Sequence, residues 1–469
     1  ARQFQQEISK LYHSALDQKN ELKKYPLENY SAIVSKDNKA KFSLPIQNLS
    51  DLLFNEAIQY FSSSNIQLIE ASNAFQMNEK ELFLSVQDFS KIDLSNKNSS
   101  NEWIALELYQ EWITNHLQDK NQEILSYIDN QRLHFVYDHY VGEKKNDLYA
   151  ESLQNGFQQF TLASSKALFK SDLIQLWYQE RAGDFEYSLT QIVKEAQQVL
   201  KDYPNTLGAL SMQNLIDVIQ SKGLEVTLEQ YIPANVPFKT FIEYKNLSSV
   251  KYKIVEWKEI NYQNNQDVWN AVQKLKVVHS GNFQLPASSD YSSHSIEFAL
   301  NGLATGKYAL ITYTDDVLTD ISKGKFNISP FQITDISLVF RENEGNIIVS
   351  VLNRQSGLPL NQVPVEIFTR SQYNNSYNTT TSAFTNQKGE VFIPKKSIIQ
   401  SNYKIKVKKG ADIIETQDQY FYNNQTPVTS NPKTTTVKLF TDRSIYRQGQ
   451  EVFLKGILIN SFGVFSSFG

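Results

Sequence analysis

Apolar positions recur at two different periods along this chain, and the change between them falls near Gly223. From Glu102 to Leu117 they fall at Trp103, Leu106, Leu108 or Tyr109, Trp112, Ile113 and Leu117, which is the spacing of one helix face. The same spacing links Ile124, Tyr127, Ile128, Leu133 and Val136, and then Leu189, Ile192, Val193, Ala196, Val199 and Leu200. A further stripe, Leu215, Ile216, Val218 and Ile219, stops before Lys222 and Gly223, as helices do just ahead of a glycine. Residues 1–22 and 51–61 are predicted to be helical too, whereas 24–45 contains Pro26 and Pro45 and has little periodicity.

Beyond Gly223 the period becomes two. Val236, Phe238, Thr240, Ile242 and Tyr244 alternate with polar residues, and 250–257 alternates again, which predicts strands. Leu303, Gly306, Tyr308 and Leu310 have the spacing of a tyrosine corner, in which the phenol reaches back to the backbone and pins a crossing strand. The polar stretch 258–293 reads as an insertion carrying a short helix near 268–275. After a boundary at Ile328–Pro330, strands are expected near 333–340, 347–353, 363–369, 382–386, 390–394 and 403–408. Turns at Gln355–Pro359 and Asn386–Gly389 separate them, with Gly and Pro where turn geometry favours them. Tyr403 repeats the late aromatic position of the first β unit. Asn423–Lys433, with Pro427 and Pro432, reads as a linker, and a third β unit opens at Thr434.

The fold class expected is therefore multidomain, α then β: an α-helical region over 1–222 and antiparallel β-sandwiches in tandem over 223–330 and 331–424, with the start of another at 434–469. Within the helical half, Leu173–Pro204 pairs two helices about 182–185 and ends on Tyr203 and Pro204, similar to a tetratricopeptide unit. An ordinary α-hairpin of a helical solenoid fits that stretch equally well.

Composition narrows the function classes. A net charge of −4 and a pI near 6.0 give no field that would gather nucleic acid or anionic lipid. No apolar run reaches the length of a membrane-spanning helix. The absence of cysteine excludes disulfides, thiolate metal sites and cysteine nucleophiles within these 469 residues, and favours a bacterial origin over an animal secreted one. A chain starting at Ala1 without a signal segment and stopping at Gly469 in mid-unit is expected to be a processed or partial piece, with any export signal or lipid-anchoring cysteine outside it.

Residues 439–457 are the most specific segment. An apolar strand ends at Phe440, a polar corner follows, Gly449 stands where a type II turn needs positive φ, and Val452, Leu454 and Gly456 share one face of a second strand. The motif of Phe440, Thr441, Asp442, Arg443, Tyr446, Arg447, Gly449 and Gln450 resembles the opening of a macroglobulin-like sandwich domain of the alpha-2-macroglobulin family, in its bacterial cell-envelope branch. Gln448 departs from the family, which has Pro there; the freer unfolded chain costs about 0.4–1 kcal/mol. Asp51, Phe54, Ala57, Tyr60 and Phe61 are similar to a helix of the same branch.

No reactive constellation competes with that resemblance. His134 and His139 are five apart, which puts them on different faces of a helix, and His13, His116, His279 and His294 read as isolated surface or packed residues. No nucleophile elbow, phosphate-binding glycine loop or dinucleotide fingerprint occurs. Asp315 and Asp316 are adjacent, a poor geometry for shared acid–base work on a strand. Asp442 and Arg443 are expected to hold a corner by charge-assisted hydrogen bonds. The aromatic cluster at 419–422 reads as a strand face more readily than as a recognition surface. No catalytic, metal or cofactor residue is assigned.

The resemblance implies a non-enzymatic endopeptidase inhibitor, a protease trap of the cell envelope, periplasmic or outer-membrane associated, whose domains rearrange when a protease cuts a bait segment. The family's thioester motif, Cys-x-Glu-Gln, is absent here, as is an identifiable bait. Proteases are the partners this implies. The alternative is an interaction scaffold, an accessory subunit of an outer-membrane transport or secretion complex, with outer-membrane proteins as partners.

Overall fold

The computed structural model describes residues 2–30, 45–62, 77–94, 100–119, 122–181, 186–258, 264–342, 345–370, 377–395, 402–416, 419–420, 434–441, 446 and 449–461. The chain divides into two compact units, one of 1–221 with 289–291 and one of 222–288 with 292–469.

The first unit is helical. Its elements are α1 (Arg2–Leu16), α2 (Lys19–Leu22), α3 (Leu49–Ser62), α4 (Val86–Phe89), α5 (Asn101–His116), α6 (Gln122–His139), α7 (Lys145–Gln159), α8 (Ala163–Gln179), α9 (Leu189–Asp202) and α10 (Leu207–Gln220). The stripes at 102–117, 124–136, 189–200 and 215–219 all lie on these helices. Side-chain caps fix several starts: Ser100 accepts from the Trp103 N–H, Thr206 from the Ala209 N–H, and Ser188 forms a capping box with Gln191. Successive helices pack on one another through one continuous core containing Phe54, Trp103, Trp112, Ile128, Phe169, Ile192 and Ile219. The tetratricopeptide-like turn at 182–185 lies outside the described residues.

In the second unit α10 gives way at Gly223 to β1 (Gly223–Leu228), followed by β2 (Tyr231–Ile232), β3 (Phe238–Lys245), β4 (Ser249–Glu256), α11 (Asn265–Val272), β5 (Val277–Gln284), β6 (Ser293–Leu300), β7 (Gly306–Tyr313) and β8 (Phe326–Ile333). A three-stranded sheet, β1-β3-β6, and a five-stranded one, β2-β8-β7-β4-β5, enclose a core of Ile232, Phe238, Ile242, Ile254, Leu310 and Ile333. Strand β3 buries Phe238, Thr240, Ile242 and Tyr244 and exposes or half-exposes the residues between, as period two requires. The tyrosine corner is present: the Tyr308 hydroxyl donates to the Ala304 carbonyl at 3.1 Å.

The supposed insertion at 258–293 is more than a loop. Its helix, α11, lays Trp269 and Val272 on the outer face of the larger sheet, against Val255, Ala309, Ile311 and Tyr313. Strand β7 is consequently buried on both faces, which explains its unbroken apolar run. The same segment also supplies edge strand β5, whose polar residues Ser280, Asn282 and Gln284 hid the alternation.

A second sandwich follows: β9 (Ile336–Glu342), β10 (Asn346–Asn353), β11 (Pro364–Arg370), β12 (Tyr377–Phe384), β13 (Glu390–Pro394), β14 (Asn402–Lys409), β15 (Asp412–Glu415) and β16 (Gln419–Tyr420). Sheet β13-β10-β9 meets sheet β12-β11-β14-β15 over Val349, Val351, Val365, Ile367, Ile393, Ile405 and Val407. Gly389 shows why its turn needs glycine: φ is +72°, and a Cβ there would stand 2.6 Å from the Val351 carbonyl oxygen. Tyr403 is buried in this core. Strand β16 pairs β14, while residues 421–433, including Phe421, Tyr422 and the expected linker, lie outside the described residues. Strands β17 (Thr434–Thr441) and β18 (Leu454–Ser461) then form an antiparallel pair.

Candidate functional site at the joint between the sandwiches

The two sandwiches are connected by only Thr334 and Asp335, between the end of β8 and the start of β9. Strand β2 lies parallel to the end of β8, Tyr231 opposite Gln332 and Ile232 opposite Ile333. The Thr334 N–H donates to the Ile232 carbonyl at 2.8 Å, and the fully buried Thr334 hydroxyl accepts from the Ile336 N–H at 3.1 Å. Asp335 is the hub. Its Oδ1 accepts from the Ala234 N–H at 3.0 Å and from Gln355 at 3.3 Å, and its own N–H donates to Asp412 Oδ2 at 2.8 Å.

Arg354, in the turn after β10, binds the connection from the second sandwich. Its Nε donates to the Thr334 carbonyl at 3.0 Å and its Nη2 to the Ile336 carbonyl at 2.6 Å, with the guanidinium 5.4 Å from the centre of the Tyr231 ring. Burial lowers the Arg354 pKa, and burial raises that of Tyr231, partly offset by the Arg354 charge. Gln332 adds a bond from its side-chain amide to the Ile413 carbonyl, occupying the edge of β15. Bonds to a charged donor contribute about 1.5–3 kcal/mol each, so the connection is a bonded joint rather than a free hinge. Beside it opens a cleft of about 300 Å³ lined by Tyr231, Trp257, Lys307, Phe331, Lys404 and Glu415.

The motif residues fall elsewhere. Phe440 and Thr441 end β17, opposite Lys455 and Leu454. Gly449 has φ +84°, the conformation its turn position demands. Tyr446 and Gln450 stand in irregular chain, and Asp442, Arg443 and Arg447 lie outside the described residues. Val452 was expected on the second strand, but β18 starts two residues later at Leu454. The hairpin is apolar and exposed: Leu439 is 67% and Leu458 62% accessible.

Two readings of ionisable residues need correction. His116 is not isolated. Its Nε2 lies 2.8 Å from Asp51 Oδ1 and its Nδ1 2.7 Å from Asp119 Oδ2, so the ring stands between two carboxyl groups. Trp112 Nε1 donates to the same Asp51 oxygen at 3.1 Å, and Lys23 approaches Asp119 at 3.8 Å. Asp51 and His116 are each almost wholly buried, so no substrate reaches them. Asp119 follows His116 by three residues, but nothing local in the sequence links either of them to Asp51. Asp315 and Asp316, considered above for a strand, begin a 3-10 turn and pair with Lys251 and Lys222. His134 and His139 do lie apart on α6, His134 against Asp172 at 2.8 Å and His139 against the Phe135 carbonyl. Among the described residues no group of three His, Cys, Asp or Glu could hold a metal ion, and no helix is long and apolar enough to cross a membrane.

No protein-family model matches the chain, and no curated protein matches it. The solved structures it resembles include bacterial alpha-2-macroglobulins. A three-domain fragment of the native Escherichia coli protein aligns at 14% identity over 42% of this chain and 63% of the fragment, with a TM-score of 0.30. A two-domain fragment of that protein aligns at 14% identity over 42% of this chain and 95% of the fragment, also with a TM-score of 0.30. A Salmonella alpha-2-macroglobulin variant aligns at 15% identity over 51% of this chain but 15% of its own length, with a TM-score of 0.27. These likenesses are partial and of low identity.

Proposed function

We propose that this chain is a wall-forming part of a bacterial alpha-2-macroglobulin-like protease trap of the cell envelope, acting mechanically rather than as an enzyme. The observation that carries this reading is the hairpin of β17 and β18, bearing the Phe440–Gln450 motif, in series after two sandwiches joined through Thr334 and Asp335. In this reading the sandwiches are rigid walls, the bonded joint keeps neighbouring walls in register, and cleavage of a bait elsewhere in the protein releases the stored arrangement. Proteases are the partners, and the compartment is periplasmic or outer-membrane associated.

The test mixes the full-length protein with a broad-specificity protease near equal stoichiometry. A trap leaves cleavage of small chromogenic peptides intact, blocks cleavage of large substrates, and migrates faster on a native gel after the reaction. Digestion without protection of large substrates overturns the reading. Co-purification with an outer-membrane barrel in place of protection identifies the chain as an accessory scaffold.

A further inference from the structure

Asparagine followed by glycine occurs twice in this chain, at Asn155–Gly156 and at Asn301–Gly302. Packing fixes both glycines. A Cβ at Gly156 would stand 2.5 Å from the Phe169 ring. One at Gly302 would stand 2.5 Å from the Asn235 carbonyl carbon and 2.6 Å from the Val236 nitrogen. The second contact is with backbone, so no side chain fits at 302 unless the turn at 235–236 moves. Each asparagine is exposed, and each is held next to the residue that hinders its own peptide nitrogen least.

What differs between the two sites is the backbone. Gly156 lies inside α7, where the helix ladder engages its N–H. Asn301 and Gly302 lie in irregular chain, between the end of β6 at Leu300 and the start of β7 at Gly306. Among the described residues no hydrogen bond engages the Asn301 side-chain amide or the Gly302 N–H. A free main-chain nitrogen next to a free side-chain amide is the pairing that closes a five-membered ring. A nitrogen tied into a helix must first be released by local opening.

We infer that Asn301 is a site of spontaneous deamidation in the folded protein, with the Gly302 nitrogen as the attacking group and water as the second reactant. The Gly302 nitrogen gives up its proton and bonds to Asn301 Cγ, the Cγ–Nδ2 bond breaks, and ammonia leaves with that proton. One water then opens the cyclic imide. Opening at Cγ leaves aspartate. Opening at the Asn301 main-chain carbonyl leaves isoaspartate, in which the chain runs through the side-chain methylene. No oxidant or reductant enters the balance. The aspartate product adds one charge at an exposed position. The isoaspartate product lengthens the backbone just ahead of Leu303, whose carbonyl accepts from the Asn235 N–H at 2.8 Å, and of Ala304, whose carbonyl accepts from the Tyr308 hydroxyl. Conversion therefore acts on the tyrosine corner of the first sandwich, and it does so independently of any role as a trap.

The experiment incubates the full chain in warm, mildly alkaline buffer, folded and in denaturing urea, and follows the peptides carrying Asn155 and Asn301 by mass spectrometry with separation of isomers. Rates in urea give the intrinsic ratio of the two sites. Relative to that ratio, the folded chain is expected to favour Asn301 by about tenfold or more, with both isomers formed. Asn301→Gln, which moves the amide one methylene away from the attacking nitrogen, is expected to stay unmodified and to keep its melting temperature while the aged wild type loses some of its own. An Asn301 that converts in urea but not in the folded chain overturns the inference. So does conversion of Asn155 and Asn301 at their intrinsic ratio in the folded chain, or a product at 301 that is aspartate alone, since opening of a cyclic imide gives both isomers.

Discussion

The helical unit and the β unit solve the problem of buried polar groups in opposite ways. Among the described residues of the helical core, the buried Asp, His and Arg side chains fall in two sets: Asp51 with His116, and Asp129 with Arg132. Arg132 is fully buried, donates to the Leu82 and Leu84 carbonyls and lies 4.4 Å from the centre of the Phe89 ring. In the sandwiches the buried polar groups are mostly Thr and Ser, such as Thr240, Thr334 and Thr385, bonded to backbone. The cause is where the backbone bonds go. A helix satisfies its own backbone, so nothing in that ladder sets one helix against the next, and side chains must supply the register. In a sheet the ladder itself joins neighbouring strands, and among the described residues the buried carboxylates are Glu297, paired with Lys239 across β6 and β3, and Asp412 at the joint.

That contrast can be broken most forcefully at Asp51. Asp51→Ala leaves the His116 ring buried with only Asp119 beside it and should destabilise the helical unit by about 3–5 kcal/mol, read from the helical circular dichroism in a urea titration. A loss below 1 kcal/mol would mean that apolar packing alone sets the helix register. Its pH behaviour carries a definite sign. Burial pushes the Asp51 carboxyl up, and the hydrogen bond and charge of His116, then the bond from Trp112, push it further down, for a net lowering. A depressed carboxylate contributes stability that is present above the unfolded value near ~3.9 and is lost as pH falls through the folded one. Acid unfolding of the helical unit should therefore be shallower in Asp51→Asn.

Arg354→Ala tests the joint. Losing the two charge-assisted bonds to the connection should cost about 1.5–3 kcal/mol and broaden the distance distribution between spin labels placed on the two sandwiches. An unchanged distribution would show that the short connection alone fixes the angle. Tyr308→Phe removes one hydroxyl bond within a sandwich and should cost about 1 kcal/mol in β-unit stability, a smaller loss than either ionic set.

The smallest effect is expected at His134, which is half exposed and screened. Burial pushes its pKa down, but the bond and charge of Asp172 raise it further, to a net value above the ordinary one. Its contribution is present below ~6.5 and fades as pH rises through the folded pKa. A histidine NMR titration should show that elevation in the wild type and its loss in Asp172→Asn.

Much of the secondary structure was legible because it is a local property. The stripe from Trp103 to Leu117, the alternation from Phe238 to Tyr244 and the corner at Leu303–Leu310 each rest on residues within a few turns of one another. The polar strand β5 escaped because an exposed edge needs no alternation, and the candidate joint escaped for a different reason. Asp335, Arg354, Tyr231 and Asp412 are separated by tens of residues, and none sits in a pattern that marks it.

What the sequence determined by itself was the order of elements and the face each one buries, because hydrophobic periodicity and turn chemistry act over a handful of residues. The tertiary structure alone decided that His116 sits between two carboxylates, that α11 covers the back of a sheet and that Arg354 reaches the connection. Those contacts join distant parts of the chain, and their strength comes from desolvation and geometry that exist only once the layers have packed.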